Sequence, residues 1–307
     1  MDYNTKNLIE PEYNRQELSK TWSECSYEKY KDNAGTWRWE HLPNFNDKSS
    51  ISQGPSAAID GSILEIGSAA GGAYDFLSTQ NVLEEEHDYS GFDISKMGNE
   101  HCKAKYPSAS WHLADLTRVE FDREYDYAFE RIAVHHMPNP LEMFAKILAV
   151  TQKSFTCTFV SCLNGGTISD LSLARYRHGG GEFVYFDIIN VFEVMEIMLE
   201  HGFNNIGVFY GGEHERVYSD PLAHQYLSPE INFTERLIGR TTLTCNKSDG
   251  SIKTRILNRD ESPLAGLRSI KRALTGGISH LEVIEERLLR FNERSYGVLY
   301  KTAYQPL

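Results

Sequence analysis

The chain contains no run of eighteen apolar residues, so nothing in it reads as a membrane span. It has no basic excess either. Its 31 Lys and Arg stand against 43 Asp and Glu, a formal charge of −12. A protein that rides on a nucleic-acid backbone needs a basic face, and this balance argues against one. The opening residues MDYNTKNLIEPEYN carry no basic-then-apolar leader. Five cysteines (Cys25, Cys102, Cys157, Cys162, Cys245) are odd in number, scattered, and form no CxxC pair. That usage suits free thiols in a reducing compartment rather than a disulfide framework. Internal repeats and low-complexity blocks are also absent. The expectation is a cytoplasmic protein with neither a membrane nor a nucleic-acid partner.

What is present is core-forming material. At 307 residues and 40% hydrophobic content, the chain can build one large α/β domain with appendages, and wholesale disorder is unexpected. Three zones are expected. Residues 1–58 hold three of the four tryptophans, Trp22, Trp37 and Trp39, too many for a solvated tail. Residues 59–245 form the core, with insertions at 163–186 and 211–236. Residues 246–307 form a C-terminal helical extension.

Within the core, short apolar strands alternate with amphipathic helices. Strands are expected at Ser62–Ile66, Tyr89–Asp93, Ser110–Ala114, Tyr125–Glu130, Phe155–Ser161 and Asn205–Tyr210, with a seventh at Thr241–Cys245. Helices are expected from Gly71-Gly72, from Ser95 as N-cap, over Pro140–Val150, and from Asp187 as cap to a stop at Gly202. In the Pro140 helix, Leu141, Phe144, Ala145 and Leu148 share one face. The alternation implies an α/β, doubly wound, mostly parallel seven-stranded sheet covered on both faces. Ligands of such sheets bind beyond the C-terminal strand ends, where strand order reverses.

The strand exits therefore carry the chemistry. The first exit reads Glu65-Ile66-Gly67-Ser68-Ala69-Ala70-Gly71-Gly72. Its glycines let the backbone turn tightly, and the next helix offers its N-terminal amides. It is neither a GxGxxG fingerprint, because Ala69 replaces the middle glycine, nor a Walker loop, because no GK[ST] follows. Glu65 can accept from a ligand ammonium and would repel a phosphate. The second exit, Gly91-Phe92-Asp93-Ile94-Ser95, places an acid where it can take both hydroxyls of a ribose. The third, Ala114-Asp115-Leu116, offers a carboxylate to the exocyclic amine of a purine. Ammonium, ribose and adenine together describe S-adenosylmethionine. Read singly, each acid is equally a surface residue, a helix cap or a turn residue.

These pieces resemble the class I S-adenosylmethionine-dependent methyltransferases. The resemblance rests on LEIGSAAGG, GFDIS, HLADL and YDYAFERIAVHHMPNPLEMFAKIL, in that order, over roughly residues 60–210. It implies a Rossmann-like methyltransferase fold with an N-terminal helical lid and a C-terminal extension. It also implies cofactor contacts at Glu65, Gly67, Ser68, Ala69, Gly71, Asp93, Ile94, Asp115, Leu116, Glu130 and Arg131. The fourth exit, Phe129 to Pro138, carries His135-His136-Met137-Pro138 toward the transferring methyl, as in many small-molecule members. Methyl transfer is an in-line displacement in which positioning gives most of the help, but a hydroxyl acceptor also benefits from a base. His135 or His136 suits that role, and Asp170 can orient it; the alternative is that the histidines only pack.

After the fifth strand, Asn164 to Gly181 carries Arg175, Arg177 and His178 between glycine runs that would let it move. These cations fit a phosphate or carboxylate, and with them a nucleotide-sugar acceptor; a solvated loop is the bland alternative. Trp22 and Trp37 form either a lid over the acceptor or a layer on the sheet edge. A helix near Leu281–Phe291 covers either the core or a homo-oligomer surface. No metal is expected; a zinc site from His135, His136, Cys157 and Cys162 matches no standard spacing. The expected partner is a small-molecule acceptor, most plausibly a sugar hydroxyl. Rival readings are methylation of an amine or carboxylate, a non-catalytic binding protein of the same fold, and a nicotinamide oxidoreductase, against which Glu65 and Ala69 both weigh.

Overall fold

The computed structural model describes residues 59, 61–79, 83, 87–169, 175–177, 183–211, 238–248, 252–256, 287–288 and 290–291. Strand β1 is Ile63–Ile66, followed by helix α1 (Gly72–Thr79), β2 (Tyr89–Asp93), α2 (Lys96–Lys105) and β3 (Ser110–Leu113). Then come β4 (Tyr125–Arg131), a single 3₁₀ turn at Val134–His136, α3 (Pro140–Ala149) and β5 (Thr151–Cys162). A separate hairpin pairs β6 (Arg175–Arg177) with β7 (Phe183–Tyr185). The chain continues through β8 (Ile189–Asn190), α4 (Val191–Glu200), β9 (Asn205–Gly211), β10 (Ile238–Asn246) and β11 (Lys253–Ile256).

The main sheet runs β11-β9-β10-β5-β4-β1-β2-β3, and β8 joins the end of β5. It has nine strands, not seven, because two short strands add to the expected set. β8 runs parallel to the last residues of β5, and β11 runs parallel to β9 at the edge. β10 is antiparallel to both β5 and β9, and every other pair in this sheet is parallel. From β1 the chain builds outward through β2 and β3, then returns to the other side of β1 as β4 and β5. Strand order thus reverses between β1 and β4, and in sheets of this kind ligands bind beyond the carboxyl ends at that point.

The pleat sends alternate residues to two cores. Ile63, Tyr89, Tyr127 and Phe129 meet Ala73, Tyr74 and Leu77 of α1 and Cys102 of α2 on one face. Leu64, Ile66, Ala128 and Phe155 meet Phe144 and Ile147 of α3 and Val194, Met195 and Met198 of α4 on the other. Both faces are helix-covered, which is why β1 is buried along its whole length. Leu288 and Phe291 of the C-terminal extension pack into the second core. β10 reaches nine residues because buried hydroxyls pair across it: Thr156 with Thr244 at 3.0 Å, Thr158 with Thr242 at 2.9 Å, and Ser161 with Thr241 at 2.8 Å.

Two helix details differ from the pattern reading. α3 buries Pro140, Met143, Phe144, Ile147 and Leu148, a stripe rotated from the one that Leu141 and Ala145 define. The segment PLEMFAKILA is apolar on most sides, so periodicity alone does not fix its inner face. α4 is capped by Asn190, whose side chain accepts from the Phe192 and Glu193 amides at 2.8 and 3.2 Å. Asp187 is not the cap, because the two residues of β8 come between it and the helix. Gly202 does end α4. Its φ of +83° lets the Gly202 and Phe203 amides return to Leu199 and Met198 at 3.0 and 2.9 Å.

Candidate functional site

Glu65, the penultimate residue of β1, is almost fully buried, at 2% exposure. The Tyr89 hydroxyl donates to its Oε2 at 2.5 Å, and Oε1 takes no hydrogen bond among the described residues. Burial pushes the carboxyl from 4.5 up to about 8; the Tyr89 bond pulls it down and the charge of Asp93 pushes it up further. The Gly67 and Ser68 amides both donate to the Phe92 carbonyl at 2.9 and 3.1 Å, which folds the loop back over β2. Gly67 has φ +74°, and a Cβ there would overlap the Ala133 methyl. The β1 and β4 exits thus touch at Gly67 and Ala133, which only glycine allows. Gly71 turns the chain into α1. Ala69 adopts φ +47° where a glycine would be unstrained.

Asp93 receives the Ala69 amide on Oδ2 and the Ser95 amide on Oδ1, each at 2.7 Å. Burial pushes its pKa up, and the amides of Ser95, Ala69 and Ile94 draw it back. It therefore braces the loop at the carboxyl end of β2. Each carboxylate oxygen has a second lone pair for a hydroxyl. Ser95 caps α2 by accepting from the Gly98 amide at 3.1 Å. Leu113, across from Asp93 in the β2–β3 register, is exposed at 50%; Met97, in the first turn of α2, is exposed at 46%. Asp115 forms a tight turn: its Oδ1 accepts from the Thr117 amide at 3.1 Å and hydroxyl at 2.7 Å, and its Oδ2 lies 3.4 Å from Arg118 Nε. Ile94 is half-buried and Leu116 is buried in the core.

Glu130 stands at the β4 exit. It is 1% exposed, and its two oxygens take three backbone amides: Ala133 at 3.0 Å and Val134 at 3.3 Å on Oε2, and Thr158 at 3.0 Å on Oε1. Burial raises it to about 7 against the pull of those amides. Every hydrogen bond it accepts among the described residues thus comes from a backbone amide, and a cofactor contact at Glu130 stays an expectation. Arg131 ends β4 half-buried. Ile132 follows at φ +57°, a left-handed conformation that a β-branched residue rarely holds.

The 3₁₀ turn then presents the two histidines. His135 is 2% exposed, and His136 is only half-buried. Their Nε2 atoms lie 3.1 Å apart, so one donates and the other accepts. The edge of Phe186 stands against His135, and the Asp187 amide donates to the His135 carbonyl at 2.6 Å. Asp187 is 3% exposed; burial lifts its carboxyl to about 7 while Ser169 holds it down. Sequence reasoning missed Asp187 as part of this neighbourhood and read it as a cap. A buried acid just before the post-β5 helix was the available signal.

The loop after β5 is hydrogen-bonded at its start to α4, to its cap Asn190 and to Arg287. Thr167 Oγ1 donates to Glu193 at 2.6 Å, Asn190 Nδ2 donates to the Gly165 carbonyl at 2.5 Å, and Arg287 donates to Leu163 O and Asn164 Oδ1. Arg175 and Arg177 lie on β6, whose side chains are not described. Asp170, His178, Trp22, Trp37 and the segments 1–58 and 212–237 lie outside the described residues. Among the described residues no three His, Cys, Asp or Glu stand together as a metal site, and no helix is long and apolar enough to cross a membrane.

No family model and no curated relative matches the chain. Solved structures do resemble it. An O-methyltransferase from a trans-AT polyketide synthase multienzyme of Brevibacillus brevis, in complex with S-adenosyl-L-homocysteine, shares 15% identity over 70% of this chain and 78% of its own, with a TM-score of 0.46. A Haemonchus contortus phosphoethanolamine N-methyltransferase 2, with S-adenosyl-L-methionine, shares 18% over 64% and 50%, with a TM-score of 0.42. The [4+2]-cyclase SpnF shares 16% over 63% and 76%, with a TM-score of 0.42. Likenesses this remote carry no argument about activity, so the function of this chain has to be read from its own sheet order and the residues at its strand exits.

Proposed function

We propose that this chain is an S-adenosylmethionine-dependent methyltransferase acting on a small molecule, and that the methylated atom is a hydroxyl oxygen. The observation that carries the reading is the row of acids Glu65, Asp93 and Asp115 at or just beyond the carboxyl ends of β1, β2 and β3, beside the point where strand order reverses.

The local chemistry fits the cofactor. Glu65 is a buried carboxyl whose Oε1 takes no hydrogen bond among the described residues, and an ammonium would both ionise and satisfy it. Ser68 Oγ is buried with no hydrogen-bond partner among the described residues. Leu113 offers exposed apolar surface beside Asp93, suited to a purine face. Glu65 would hold the amino end, Asp93 the ribose, and Asp115 with Leu113 the base. The cofactor supplies a methyl group activated by a positive sulfur.

His136, the more exposed ring, takes the acceptor proton. His135, buried behind it, shares the resulting charge through the 3.1 Å Nε2–Nε2 contact. The general-base role assigned to the pair rests on this contact and on the turn that presents it. Arg175, Arg177 and His178 favour an acceptor bearing phosphate, such as a nucleotide-sugar.

Calorimetric titration with S-adenosylmethionine and then S-adenosylhomocysteine tests the cofactor. Saturable binding of both is expected, and absence of either binding removes the reading. Conversion of labelled cofactor against a metabolite panel, nucleotide-sugars included, then identifies the acceptor. If His135→Ala and His136→Ala leave that rate intact, the acceptor is an amine or a carboxylate instead.

A further inference from the structure

Glu130 is a fully buried acid near the end of the strand that leads to the histidines. Both oxygens are engaged, and every donor is a backbone amide. Two of these, Ala133 and Val134, begin the turn that carries His135 and His136. The third, Thr158, belongs to the neighbouring strand β5. The carboxylate therefore bridges the rigid sheet and the turn.

The turn would not hold this shape on its own propensity. Ile132, just before it, has φ +57°, which a β-branched residue adopts only when its surroundings impose it. Its amide is fixed to the Thr158 carbonyl at 2.7 Å. Downstream, the Asp187 amide fixes the His135 carbonyl. Ala133, held by Glu130, is also the residue against which Gly67 packs. One carboxylate thus locates the histidine pair relative to the loop of β1.

We infer that Glu130 is a positioning residue: by binding the amides of Ala133, Val134 and Thr158 it sets the separation and orientation of the His135–His136 pair and its register against the Gly67 loop. The inference rests on the methyltransferase reading only for the use made of the histidines.

The test is nuclear magnetic resonance of the full chain labelled with ¹⁵N in histidine rings and backbone, with no ligand added. In Glu130→Gln the amide group offers one oxygen where the carboxylate offered two. The ring signals of His135 and His136 should shift, while those of His112 and His201, on other elements, stay in place. Amide exchange at Ala133 and Val134 should rise about tenfold or more, the opening expected when bonds to a charged acceptor are lost. Glu130→Asp keeps the charge but is one methylene shorter, and it decides the matter if the Gln variant does not fold. Folded variants with unmoved His135 and His136 signals would overturn the inference. Failure of the wild-type chain to bind S-adenosylmethionine would instead overturn the methyltransferase reading and leave this one standing.

Discussion

Replacing Glu65 with Gln is expected to make the ligand-free chain more stable while abolishing cofactor binding. Burial raises the Glu65 carboxyl to about 8, against 4.5 for the same group in an unfolded chain. Near neutral pH the folded chain therefore holds a proton that the unfolded chain has released. The penalty on folding is absent below 4.5, grows as pH rises, and levels off above about 8. Each unit is worth about 1.4 kcal/mol, so at neutral pH the penalty is of order 3 kcal/mol as an upper bound. Gln brings a neutral amide to the same place, keeps an acceptor for the Tyr89 hydroxyl, and has no proton to bind.

The assay is urea unfolding of both chains across the range from about pH 5 to about pH 8. The variant should be the more stable at neutral pH, with the gap closing as pH falls. Cofactor binding should show the opposite preference. An ammonium needs the ionised carboxylate, so wild-type affinity for S-adenosylmethionine should fall about tenfold per unit below neutrality. The free α-amino group loses its own proton at about 7.7–8.0, so affinity should peak there and not climb further. A Glu65→Gln chain that is less stable than wild type at neutral pH, or that binds the cofactor equally well, refutes the reasoning.

Ala69→Gly should raise stability by up to about 1 kcal/mol in thermal melts, because the left-handed penalty removed is roughly 1–2 kcal/mol and the added chain entropy roughly 0.5–1; a lower melting temperature would contradict the strain at φ +47°. Asn190→Ala should cost about 1–2 kcal/mol in chemical denaturation, through the lost cap on Phe192 and Glu193 together with the lost bond to Gly165. His136→Ala should lower turnover on a hydroxyl acceptor about a hundred- to ten-thousandfold while calorimetry finds cofactor affinity unchanged.

The sheet was legible because its strands are short apolar runs punctuated by glycines, acids and caps, and that signal survives without tertiary context. The positions of Glu65, Asp93 and Asp115 followed from the same punctuation. Side-chain partners did not. Glu130 reads as one more acid at a strand exit, and only the folded β4–β5 edge reveals that the Thr158 amide lies within its reach. Asp187 reads as a helix cap because a two-residue strand leaves no periodic trace. The inner face of α3 was equally hidden, since its sequence offers apolar residues on most sides. In each case the missing information is a contact between residues far apart in the chain, which no local pattern encodes.

Local rules are broken where the chain leaves the sheet. Ala69 and Ile132 hold left-handed conformations, and Glu65, Glu130 and Asp187 are buried acids held above their ordinary values. All lie at the carboxyl edge of the sheet. Such concentration is what a site held together by its surroundings produces. Ile132 gives the sharpest check. Asn tolerates the left-handed region, so Ile132→Asn should relieve strain of about 1 kcal/mol or more, partly offset by the loss of a half-buried apolar side chain. If the amides of Ala133, Val134 and Ile132 are what hold the turn, the variant should keep wild-type His135 and His136 resonances with stability unchanged or raised. A drop of more than about 1 kcal/mol would mean that the Ile132 side chain, not the network behind it, supports the turn.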